Sequence, residues 1–165
     1  MLKNKGTLKV AALLVMLVVS VMALTGCDKN KKDDNKYEQP VKNMVEGLSE
    51  ANSSKFLSAF PPFFSDYMKD IFTDDYLKSV LDEQKENFGD NITMSYKITK
   101  TEEISKEDLE SKQKNIVETY GKEVSITKGY KLDVEITTKG DQKEDVDTDN
   151  MEVYEIDGNW YMIGL

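Results

Sequence analysis

Three aspartates at alternate positions, Asp145, Asp147 and Asp149, have the spacing of the first three ligands of a calcium loop, where carboxylate oxygens converge on a hard cation. The remainder of such a loop is missing. Asn150 stands where a glycine is needed for the sharp turn, and Ile156 stands where a bidentate glutamate would close the coordination sphere, with Glu155 one position early. Period-two spacing also places three carboxylates on one face of a strand, so a solvated strand face is expected and weak cation binding is the alternative. Asp133 and Glu135 alternate with Leu132, Val134 and Ile136 and should point away from the core. Acid–base work would need one of them in an apolar cleft with a raised pKa, which an outward face does not provide. The chain contains no histidine, so the commonest general base and the commonest zinc ligand are both missing. No catalytic residue, metal or cofactor is expected.

Aromatic side chains form the second candidate set. Tyr96, Tyr130, Tyr154, Trp160 and Tyr161 fall in or beside segments that read as strands, and the first four are candidates for lining a pocket between helices and sheet. Aromatic residues are also good strand formers and good core, so packing is the expectation and a pocket the alternative. A one-residue shift in the last hairpin would carry Trp160 to the other face. Phe60, Phe63 and Phe64, around Pro61 and Pro62, are expected to form a buried helix junction.

The only cysteine, Cys27, has a more readable chemistry. Lys3, Lys5 and Lys9 precede fifteen uncharged residues, 10–24, the pattern of a secretory signal. As a helix, that run would span about 22 Å, short of the ~30 Å hydrocarbon core of a bilayer. Leu24-Thr25-Gly26-Cys27 then resembles the bacterial lipobox. The resemblance implies a diacylglycerol on the Cys27 sulfur, cleavage between Gly26 and Cys27, and a lipid-anchored protein on the extracytoplasmic face of the cell membrane. Two acyl chains hold a protein where one would be marginal. A single, modified cysteine leaves nothing for disulfides or thiolate metal sites.

Removing residues 1–26 takes away three lysines and no acid, leaving 19 lysines against 31 carboxylates, a net charge of −12. Such a surface repels phosphate backbones, so nucleic acid is not an expected partner. Residues 28–36 contain no apolar side chain and cannot offset the entropy of ordering. The expected organisation is therefore a signal peptide at 1–26, a flexible tether at 27–39 and one domain at 40–165, long enough to bury a core without crosslinks.

Several elements must position the candidate residues. Val41, Met44, Val45 and Leu48 form a helical stripe after Pro40, Asn52 and Ser53 can cap a second helical segment, and Pro61-Pro62 stops it. Tyr67, Met68, Ile71 and Phe72 suggest a short helix, and Leu77, Val80, Leu81, Gln84 and Phe88 a longer one capped by Thr73. From Ile92 the period becomes 2, through Met94, Tyr96 and Ile98. Ser105 to Asp108 resembles a capping box opening a helix with Leu109, Ile116 and Tyr120 on its apolar face, closed by Gly121. Strands are expected near 125–138, 146–156 and 159–165, with Asp157-Gly158 as a two-residue hairpin turn. Helices first and consecutive strands last argue an α+β fold with a mainly antiparallel sheet of about four strands.

This order, with the ending Val153-Tyr-Glu-Ile-Asp-Gly-Asn-Trp-Tyr-Met162, resembles the nuclear transport factor 2-like (cystatin-like) superfamily and lipoprotein families of Gram-positive bacteria. That resemblance implies helices covering one face of a curved sheet. The expected function is a non-catalytic module, tethered to the membrane, that binds a small molecule or a protein outside it. The alternative is a small cone-pocket enzyme of isomerase or hydrolase type, using a carboxylate and tyrosines.

Overall fold

A computed structural model describes residues 35–163. Cys27 and its flanking Leu24, Thr25 and Gly26 lie outside the described residues. The chain enters through a 3₁₀ turn, Lys36–Glu38, that runs directly into helix α1, Gln39–Ser49. Helices α2 (Ser53–Leu57), α3 (Pro62–Met68) and α4 (Asp74–Phe88) follow, then strand β1 (Thr93–Glu103), helix α5 (Lys106–Tyr120), and strands β2 (Ile126–Lys139), β3 (Glu144–Ile156) and β4 (Asn159–Met162). The architecture is α+β, with five helices and one antiparallel sheet in the order β1-β2-β3-β4.

Local chemistry accounts for the element boundaries. The side chains of Asn52, Thr73 and Ser105 each accept a hydrogen bond from the backbone amide three residues on, at 2.9, 3.2 and 3.2 Å, satisfying donors that have no partner within the helix. Pro61 and Pro62 begin a helix as well as ending one: Pro61 is the extended N-cap of α3 and Pro62 its first residue, where a missing amide proton costs nothing. Gly121 closes α5 in the left-handed region at φ 63°. Asp157 and Gly158, at φ 50° and 82°, form the turn between β3 and β4.

Register decides which face each residue occupies. Tyr130 pairs with Val153, Leu132 with Met151, and Val153 with Met162, so these side chains share one face of the sheet. Helices α1 to α4 cover that face. Val41 and Val45 of α1, Phe56 of α2, Phe60, Phe64 of α3 and Leu77 of α4 pack there with Leu132, Val134, Met151, Val153 and Met162. Each such side chain, fully buried, contributes about 1.5–3 kcal/mol. Phe60, Phe63 and Phe64 do form a junction: Phe60 meets Phe64 at 5.1 Å with the rings tilted, and Phe63 meets Tyr120 at 5.1 Å.

Helix α5 departs from the one-sided arrangement that the superfamily resemblance implies. Its Leu109 packs with Ile104, Tyr154 and Ile156 on the opposite face of the sheet, where Gly129 leaves the room: a Cβ there would lie 2.9 Å from Leu109 and 2.9 Å from Tyr154. The last residue of α5, Tyr120, nevertheless reaches Phe63 of α3. One helix thus ties the two layers together. The reason is compositional, because Tyr154, Ile156 and Tyr161 make the far face apolar at this end of the sheet, and it needs its own cover.

Candidate functional site

Between α5 and the sheet face beneath it lies an open cleft of about 170 Å³. The helix presents Asp108, Ser111, Lys112 and Asn115 to it, at i, i+3, i+4 and i+7, and the strands supply Lys131 and Glu152, with Tyr154 and Ile104 at the base. Lys131 of β2 and Glu152 of β3 are directly opposed across the ladder. Tyr154, two residues beyond Glu152 and hence on the same face, is only 2 % exposed.

Glu152 is the hub of this cluster. Its carboxylate accepts a 2.5 Å hydrogen bond from the Tyr154 hydroxyl, and Lys112 and Lys131 approach it at 3.3 and 3.9 Å. The Lys112 ammonium also lies 5.0 Å from the centre of the Tyr154 ring, within range of a cation–π contact. Burial by itself would push the Glu152 carboxyl up. The Tyr154 hydroxyl and the two lysines together outweigh burial and hold the group below the ordinary carboxylate range. Burial, reinforced by the bond to Glu152, pushes the Tyr154 hydroxyl well above the usual phenol range. At neutral pH, then, Glu152 is ionised and Tyr154 protonated.

The four aromatic candidates do not gather into one pocket. Tyr130 and Trp160 stand together on the face covered by α1 to α4, stacked at 5.5 Å. Tyr37, from the entering turn, meets both, at 4.8 and 6.1 Å, and fills the space beside them. The folded body therefore includes Tyr37, three residues before Pro40. Tyr96 lies farther along the same face, opposite Ile136; its hydroxyl is shifted up by burial and by the carboxylates Glu38 and Glu46. The Glu38 carboxyl is itself raised by burial. Tyr154 is on the other face.

The carboxylate candidates take structural positions. Asp133 and Glu135 point away from the main core, and Glu135 pairs with Lys97 at 3.2 Å. Asp145, Asp147 and Asp149 do share a face, the same one as Val134, Ile136 and Thr138, and each is half-buried. Asp145 pairs with Lys143, while Asp147 and Asp149 accept hydrogen bonds from the amides of Thr148 and Asn150, at 3.1 and 2.8 Å. Among the described residues no three acidic, histidine or cysteine side chains are placed to hold a metal ion.

Lys112, Lys131 and Glu152 escaped the sequence reading. A signal was present: Asp108, Ser111, Lys112 and Asn115 repeat at helical spacing beside the Leu109 and Ile116 stripe, but a polar helical face is also what solvent selects. Among the described residues no helix is long and apolar enough to cross a membrane. No family model, no curated protein and no solved structure matches the chain.

Proposed function

We propose that this protein is a lipid-anchored, extracytoplasmic binding module that takes a small, polar, charge-balanced ligand in the cleft beneath α5. The anchoring part rests on Cys27 and the sequence before it; the binding part rests on Glu152. A carboxylate held ionised beside a phenol held protonated has no proton to exchange near neutrality, so the cluster suits recognition better than acid–base chemistry. Two lysines, two carboxylates, two hydroxyls and an amide around about 170 Å³ match a molecule carrying both charges, of about amino-acid size.

Both parts have a direct test. Cys27→Ala should move the protein from the membrane fraction to the soluble extracytoplasmic fraction; retention at wild-type levels would remove the lipid from the account. A thermal-shift screen of free amino acids and related zwitterions should find stabilising compounds whose effect is lost in Lys112→Ala and Lys131→Ala. The binding reading fails if no compound shifts the wild type, or if those that do shift both variants equally.

A further inference from the structure

The chain enters the folded body at one end of the sheet, and that end is defined by register. Tyr37 is held by Tyr130 and Trp160. Near them lie the β3–β4 turn at Asp157-Gly158, the start of β2 and the end of β1, since Glu103 pairs with Tyr130 and Ile126 with Ile156. The β2–β3 turn lies at the other end, where Lys139 pairs with Glu144 and with Thr93. The 13 residues of β3, at about 3.3 Å each, put the two turns about 40 Å apart.

We infer that the bilayer faces the Trp160 end of this sheet and that the β2–β3 turn stands away from it, Tyr37 being the clamp that sets this orientation. The inference rests on the lipid at Cys27 proposed above. Eight residues lead from Cys27 to Asn35, a length that spans at most about 29 Å and, as a coil, about 16 Å. The attachment point must then stay within that distance of the headgroups, less than the length of the sheet. A tether alone would still let the body lie flat, and charge opposes that. Asp90, Asp141, Glu144, Asp145, Asp147 and Asp149 gather toward the far end, against Lys139 and Lys143. Lying flat would bring them within the ~8 Å screening length of anionic headgroups. The near end carries Lys122, Lys128 and Lys131 against Glu102, Glu103, Glu123, Glu155 and Asp157, so standing on that end brings fewer carboxylates to the headgroups than lying flat would.

Once Cys27 is acylated, an introduced cysteine is the only free thiol, which makes the orientation measurable on the full chain. Asn159→Cys and Gln142→Cys, both at exposed positions, place a fluorophore at the near and far turns of the lipidated protein in phosphatidylglycerol–phosphatidylethanolamine vesicles bearing a headgroup acceptor. Energy transfer should be high from residue 159 and close to absent from residue 142, and Tyr37→Ala should narrow the difference. Equal transfer from both positions in protein that floats with the vesicles overturns the orientation while leaving the lipid in place. Protein that does not float with the vesicles overturns the lipid reading and the orientation with it. If Tyr37→Ala keeps the wild-type difference, Tyr37 is not the clamp; the wild-type comparison stands without that variant.

Discussion

Tyr130 and Trp160 stack across a strand that neither belongs to: one is on β2 and the other on β4, with β3 between, yet their ring centroids are 5.5 Å apart and their planes 15° from parallel. On the strand between them Tyr130 pairs with Val153 and Trp160 with Glu155, so the stack runs diagonally across β3. Tyr37 completes the group from the entering turn, so the first and last elements of the fold share one aromatic contact.

Because Trp160 is the only tryptophan, its emission reports on this group alone. Tyr37→Ala removes two ring contacts, each worth about 0.5–1.5 kcal/mol. The expected result is a red-shifted emission maximum and a loss of about 1–3 kcal/mol in denaturant unfolding. An unchanged spectrum would mean that Tyr37 does not pack on the indole.

Tyr154→Phe deletes the hydroxyl bound to Glu152 and keeps the ring. With Glu152 partly exposed, the expected cost at neutral pH is about 1 kcal/mol. Glu152 is held below its unfolded value of about 4.3, so its stabilisation is present above that pH and is lost as pH falls through the folded value. The gap between wild type and variant should therefore shrink in acid. Unfolding curves showing the same gap at pH 7 and pH 3 would contradict the geometry at Glu152.

Tyr154 has the opposite sign in alkali. Its folded pKa is raised above the unfolded value of about 10, so the contribution is full below pH 10 and is lost as pH rises toward the folded value. In a spectrophotometric titration Tyr154 should ionise only as the domain unfolds, and Tyr154→Phe should remove one late-titrating phenol. A late population of unchanged size in the variant would place Tyr154 outside the protected set.

Gly158 sits at φ 82° in the last hairpin turn, where a Cβ meets no other atom, so its replacement tests backbone conformation alone. Gly158→Ala should cost about 1 kcal/mol and lower the thermal midpoint by several degrees. An unshifted midpoint would show that the turn relaxes to another form.

β4 pairs only with the end of β3, from Val153 to Ile156, and among the described residues no strand lies outside the first part of β3. Along that edge Asp147 and Asp149 cap the amides of Thr148 and Asn150 and place negative charge beside them. Such features discourage edge-to-edge pairing. The double variant Asp147→Ala/Asp149→Ala should retain its fold by circular dichroism but associate with rising concentration in light scattering. Association no greater than that of the wild type would leave the acidic run without this role.

Much of the local structure was legible because its causes are local. Asn52, Thr73 and Ser105 cap helices through bonds that span three residues, Gly121 and Asp157-Gly158 adopt backbone angles that their residue types favour, and Asp133 and Glu135 face outward because strand period is 2. The α+β class followed from the order of those elements. Contacts between elements were not legible. The Asp145, Asp147 and Asp149 row shares one face as its spacing requires, but that this is the core-side face depended on pairing with Val134 and Ile136.

By itself, the sequence determined the strands, the last turn, the acidic charge and the helices other than α3, since each depends on neighbours in the chain; α3 runs Pro62–Met68, where the apolar spacing suggested a helix from Tyr67 to Phe72. Only the tertiary structure decided that α5 crosses to the far face, that Trp160 meets Tyr37 and Tyr130, and that Lys112, Lys131, Glu152 and Tyr154 converge. The physical reason is register: Trp160 lies opposite Glu155, and a shift of one residue there would have exchanged the two faces without altering any local preference.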